Sequence, residues 1–103
     1  MTRVTFINPL SVPVAREDEF PEKWHRGAAD VREIEGFVAT SLHRSLDQNP
    51  RFQHVTVAVW ESADHFYRAI GSDWWREYVS EFGFGPGPED FAAHPTLCEP
   101  VRR

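Results

Sequence analysis

Two β-forming runs, Phe37 to Ser45 and Phe52 to Trp60, stand on either side of the segment LDQNPR. This pair constrains the fold more than any other feature. Asp, Asn and Pro in the link favour a turn, so the runs read as a hairpin. Every second residue of the later run gives Gln53, Val55, Val57 and Val59, nearly all aliphatic. The alternate set is Phe52, His54, Thr56, Ala58 and Trp60, aromatic and polar mixed. A strand shows alternate residues to opposite faces, so this hairpin has two faces of different chemistry. Setting His43 opposite His54 places Ser41 on Thr56, Ala39 on Ala58 and Phe37 on Trp60. That register keeps the two sets apart, whereas a slip of one residue mixes them.

The flanking sequence supplies the other elements. Val4 to Leu10 reads as a first strand, ended by Pro9 and Pro13. A helix is expected from about Asp18 as its cap, with Pro21 tolerated in the first turn. Phe20, Trp24, Ala28, Val31 and Ile34 form its apolar stripe, and Gly36 stops it. After the hairpin, Ser62 caps a short helix carrying Phe66, Ala69 and Ile70, closed by Gly71. Ser72 opens a further helical stretch in which Trp74 or Trp75 shares a face with Tyr78, Val79 and Phe82. GFGPGP, Gly83 to Pro88, is a loop by composition, and Thr96 to Val101 is a last strand with Pro100 at an edge. The order β-α-β-β-α-β predicts an α+β, ferredoxin-like fold, an antiparallel sheet with helices on one face. One domain spanning residues 1–103 suits a chain of 103 residues.

One set of helices covers only one sheet face. The valine face therefore needs another cover, and a second copy of the chain is the natural one. The mixed face combines small residues, Ala39 and Ala58, with Ser41, His43, Thr56 and Trp60, which leaves room for a ligand. Trp24, Phe66, Trp74, Trp75 and Tyr78 are expected on the helix side of that space, one of the two adjacent Trp pointing inward. Aromatic residues are 14% of the chain, enough to wall an aromatic-binding pocket as well as a core.

Composition excludes other classes. A net charge of −5 with scattered Arg argues against nucleic-acid binding. No run approaches a membrane span, and the first residues lack a signal-peptide hydrophobic region. Cys98 is the single cysteine, so no intrachain disulfide forms, and a cytoplasmic location is expected. The five His residues lack tight metal spacing, and no phosphate-binding loop or other cofactor motif is present, so no metal or cofactor is expected.

The segments FINPLSVP, GFVATSLHRSLD and VTVAVWESADHF together resemble the antibiotic biosynthesis monooxygenase family, from about Phe6 to Val101. The resemblance implies a dimeric α+β barrel with a pocket between each sheet and its own helices. It also implies oxidation of polycyclic aromatic polyketides by O₂ without metal or flavin. Trp60 matches the pocket Trp of those oxygenases, and His43 a strand-two His of some. Thr56 stands where they often carry Asn, and Phe66 where they carry Tyr. Asn8 matches a strand-one Asn of the haem-degrading branch, whose helix Trp and haem-ligating His correspond to Ala69 and Val79.

For cofactor-free oxygenation the expected roles are His43 as base, Trp60 N–H as oxyanion donor and Asn8 as the group orienting a substrate carbonyl. Two other functions suit the same pocket: cofactor-free cyclisation or isomerisation of a polyketide, and non-catalytic binding of a hydrophobic ligand or haem.

Overall fold

The computed structural model describes residues 2–101. Its sheet is built on β1 (Val4–Ser11), β2 (Phe37–Arg44) and β3 (His54–Trp60), with two short strands, β4 (Ala92–Ala93) and β5 (Thr96–Cys98), on the far side of β1. The path runs β2-β3-β1-β4, β5 also pairing with β1, and every pairing is antiparallel. Three α-helices, α1 (Phe20–Val31), α2 (Ala63–Ile70) and α3 (Asp73–Phe82), accompany it. This is the ferredoxin-like arrangement, with its second helix broken in two and its last strand split.

Local chemistry accounts for the boundaries. Ser62 Oγ accepts from His65 N–H and caps α2. α1 starts later than Asp18 suggested: Glu19 occupies the cap position without a side-chain cap bond, and Pro21 sits in the first turn, where its missing N–H costs nothing. α3 ends at Gly83, whose φ of 89° is the left-handed conformation that glycine adopts freely. The last strand stops at Cys98, so Pro100 lies beyond it.

The hairpin departs from the expected register. Phe37 does face Trp60, but Ala39 faces Val59, Thr40 faces Ala58, Leu42 faces Thr56 and Arg44 faces His54. A β-bulge between Phe37 and Ala39 absorbs one extra residue and reverses the parity of the rest of β2. It follows directly on Gly36, which has φ of 90° and whose carbonyl accepts from Glu61 N–H at 2.8 Å. A Cβ at Gly36 would also meet the His65 ring, so both backbone and space require glycine there. His43 and Ser41 therefore share a face with Val55 and Val57, opposite the one expected for them.

The helix side of the sheet carries two packed clusters. Leu10, Val12, Phe20, Trp24, Phe82 and Phe91 form one. Val4, Val31, Ala58, Trp60, Phe66 and Ala69 form the other. Phe20 and Phe91 are fully buried. Phe91 is reached through the Gly-Pro loop, which is closed by a Phe84–Phe91 bridge and covered by the Arg16 guanidinium 3.9 Å from the Phe91 ring centre. A segment that reads as plain loop thus delivers a core residue.

Candidate active site

Between the two clusters the sheet and helices do not close. Gly27 and Ala28 on α1 and Thr56 and Ala58 on β3 are too small to fill the gap, and a cavity of about 300 Å³ remains. Its walls are mainly rings: Phe6, Phe37, Trp60, Phe66, Trp74 and Tyr78 among them. Gly27 has a second role, since a Cβ there would run into the Tyr78 ring. Tyr78 stacks on Trp74 at 5.7 Å and 16°, and meets Phe82 edge-on at 5.2 Å. The Tyr78 ring is therefore held in place from three sides.

Polar groups are few and placed. Trp24 Nε1–H donates to Thr56 Oγ1 at 2.9 Å, joining α1 to β3 across the cavity wall. That bond leaves the Thr56 hydroxyl proton free to donate. Asn8 is buried on β1 opposite Thr56, and its Oδ1 accepts from His94 N–H at 3.2 Å. The bond identifies the oxygen of the amide and turns its NH₂ to other use. Thr40 is occupied, its hydroxyl donating to Val57 O at 3.0 Å. Trp74 Nε1 is buried and has no partner among the described residues. An unpaired buried donor costs about 1–3 kcal/mol, which marks it for functional interest. Burial pushes the Tyr78 phenol far above its ordinary range, so it stays a neutral O–H.

Of the residues expected at the site, Asn8, Trp24, Thr56, Trp60, Phe66, Trp74, Trp75 and Tyr78 line this cavity. Trp74 and Trp75 both reach it, against the expectation of one; adjacent helix positions lie about 100° apart and can flank one wide opening. His43 and Ser41 do not line it. They are exposed, with His43 Nε2 2.9 Å from Ser41 Oγ, along a second groove beside β2. The bulge put them there. His54 and His43 face opposite sides of the hairpin, so they cannot act together as the cross-strand pair the simple register suggests. Phe6, Phe37 and Thr40 are among the further lining residues; Phe6 had a signal in sharing the alternation of Asn8, whereas Thr40 joins only through the bulge.

His54 ends the row of helix-facing β3 residues. It is 4% exposed, stacked on Phe20 at 4.6 Å and 26°, and neither ring nitrogen has a partner among the described residues. Burial, and next the charge of Arg44, hold its pKa below the ordinary value of 6.5, against a smaller pull from Glu17. The folded protein therefore declines a proton that the unfolded chain accepts below pH 6.5. Stability falls as pH drops through that value and levels off below the folded pKa. His54→Phe keeps the stack and removes the titration. Thermal melts from neutral to mildly acidic pH should show the wild type losing up to about 1.4 kcal/mol per pH unit relative to this variant. Parallel pH profiles for the two proteins would refute the buried neutral imidazole.

The model of the antibiotic biosynthesis monooxygenase family matches residues 3–81, which span all three long strands and most of the helical layer. The chain belongs to this family. Among solved structures, a candidate monooxygenase from Shewanella loihica PV-4 is 27% identical, with 99% of this chain and 97% of that one covered and a TM-score of 0.78. A variant of SnoaB, a cofactor-independent oxygenase from Streptomyces nogalater, is 25% identical, with 100% and 96% covered and a TM-score of 0.77. The heme-degrader MhuD from Mycobacterium tuberculosis shares the fold at 22% identity, with 97% of each chain covered and a TM-score of 0.68. No curated protein matches the sequence significantly. Among the described residues no helix is long and apolar enough to cross a membrane.

Proposed function

We propose that this protein is a cofactor-independent monooxygenase that oxidises a flat polycyclic aromatic natural product of polyketide type with O₂, as a cytoplasmic homodimer. The observation that carries the reading is the cavity, walled by aromatic rings and supplied with a few hydrogen-bond donors. An anthrone or phenol in such a site loses a proton to give a delocalised carbanion. The carbanion passes one electron to O₂, the radical pair joins as a peroxide, and loss of water leaves a carbonyl. One CH₂ and one O₂ thus become one C=O and one H₂O. The protein's part is to exclude water and to place donors where negative charge develops. Trp60 and Trp74 indole N–H, the Asn8 NH₂ and the Tyr78 O–H are the candidate donors.

No carboxylate, imidazole or ammonium group is among the described residues lining the cavity. His43 is therefore not carried forward as the base. The substrate on this reading is one whose carbanion is stabilised by delocalisation and by the neutral donors around it, with no side-chain base assigned. The metal-free protein should consume O₂ with anthrone-type substrates; no uptake at any usable concentration would sink the reading. Turnover that continues without oxygen would point to cyclisation instead. Haem binding has little support: Val79 offers no ligand, and no His, Cys or Met is among the described lining residues. A haem titration should give no Soret shift.

The dimer rests on the sheet's other face. Ile7, Val55, Val57 and Val59 lie there half-buried, away from the helices. Since each Val is already half-buried, completing its burial against a partner sheet would contribute about half of the 1.5–3 kcal/mol for a fully exposed side chain. Val57→Lys should give a folded monomer by light scattering at micromolar concentration. A wild-type mass already monomeric would remove the dimer from the proposal.

A further inference from the structure

Thr56 and Asn8 stand directly opposite one another on β3 and β1, and both line the cavity. Opposed residues on one face of an antiparallel pair have Cβ atoms about 5 Å apart, close enough to reach a single ligand atom together. Each side chain has an oxygen that already accepts a hydrogen bond. Trp24 Nε1–H donates to Thr56 Oγ1 at 2.9 Å. His94 N–H, shared with Pro9 O at 3.0 Å, donates to Asn8 Oδ1 at 3.2 Å. What each side chain has left to offer is hydrogen: the Thr56 hydroxyl proton and the Asn8 NH₂. Neither finds an acceptor among the described residues. Thr40, of the same type on the neighbouring strand, makes the contrast, since its hydroxyl is spent on Val57 O at 3.0 Å.

The Trp24 indole decides where the Thr56 proton goes. A hydroxyl hydrogen turns to suit its partners, and a donor arriving at the oxygen turns it away from that side. On β2 the neighbour of Thr56 is Leu42, whose side chain accepts nothing. The cavity is the direction that remains. Trp24 can impose this because it is itself fixed: it is buried in the cluster that holds Leu10, Phe20 and Ala28. We propose that the Thr56 O–H and the Asn8 N–H form a two-donor clamp for one oxygen of the ligand, and that Trp24 is the positioning residue that aims Thr56. The clamp rests on the aromatic-binding reading of the cavity and adds a neutral acceptor oxygen, seated on the sheet, to what the ligand must carry.

The test compares 9-fluorenone with fluorene, flat probes of one shape that differ only in C=O against CH₂. It needs binding alone, so its outcome stands apart from whether O₂ is consumed. Two hydrogen bonds to a carbonyl should make the wild type bind the ketone about tenfold tighter. Thr56→Val keeps the shape, deletes the hydroxyl and should cut that preference to about threefold, whereas Thr56→Ser should retain it. Trp24→Phe should lower the preference in the wild-type background and leave it unchanged in the Thr56→Val background, because the indole acts through the hydroxyl. An equal drop in both backgrounds would overturn the positioning role. The infrared C=O stretch of bound 9-fluorenone should lie below its position in hydrocarbon solvent and rise in Thr56→Val. Equal affinity for the two probes, or a wild-type band at the hydrocarbon position, overturns the clamp and leaves the cavity reading intact. If neither probe binds, the aromatic cavity and the clamp fall together.

Discussion

Phe20→Ala should cost about 3–5 kcal/mol and lower the urea midpoint by about 2 M. Phe20 is fully buried and sits where several rings meet. It stacks on His54 and meets Phe82 and Phe91 edge-on, at 5.3 and 5.5 Å. Those partners come from β3, from the end of α3 and from the Gly-Pro loop, so one ring holds three separate segments. The site is already beside a cavity, so the surroundings have little freedom to collapse into the space the ring leaves. A domain of this size has only about 5–15 kcal/mol in total, so the variant should sit near the limit of stable folding. Phe20→Leu, which keeps most of the apolar volume, should cost far less. A loss below about 1 kcal/mol for Phe20→Ala would mean that the cluster repacks, against the packing argument made for it.

Phe20 was legible as a core residue because helical spacing joins it to Trp24, Ala28 and Val31. The partners that make it costly were less so. Phe91 follows a run of Gly and Pro, and composition alone assigns that run to a loop. What turns the loop inward is tertiary: Arg16 lies over the Phe91 ring and donates to Glu89 O at 3.2 Å. A cation–π contact between residues so far apart in the chain has no local signature. The same limit appears at Trp74 and Trp75. Helical geometry separates their directions, yet both reach the cavity because its opening is wide enough to be flanked from two sides.

The hairpin shows a different limit. The two-faced alternation of β3 was correct, and the face with His54, Thr56, Ala58 and Trp60 does meet the helices. On β2 the same reasoning failed beyond Phe37, since one bulge residue exchanges inside and outside for all that follows. The consequence is chemical as well as geometric. A cavity with His43 would have held a base, and the one that forms offers neutral donors instead. On the proposed reading, the site acts on charge that develops during reaction rather than through a proton removed by a side chain. Thr56, which departs from the Asn of related oxygenases, is accommodated by Trp24, whose indole N–H it accepts.

Trp74→Phe separates these two chemistries. The substitution retains a ring to stack on Tyr78 and deletes the one indole N–H that is buried without a partner among the described residues. Removing an unsatisfied donor relieves about 1–3 kcal/mol, and the lost ring volume costs a similar amount. Stability should therefore change by no more than about 1 kcal/mol. Activity should change much more. If the N–H meets negative charge only in the transition state, its loss should lower kcat by about 10²–10³ with little change in KM. His43→Ala is the matched control: an exposed residue outside the cavity, whose loss should alter kcat by less than about threefold. Full kcat in Trp74→Phe would remove Trp74 from the donor set. A large loss in His43→Ala would restore a base to the mechanism, and the imidazole would then have to reach substrate from outside the cavity that its own chain forms.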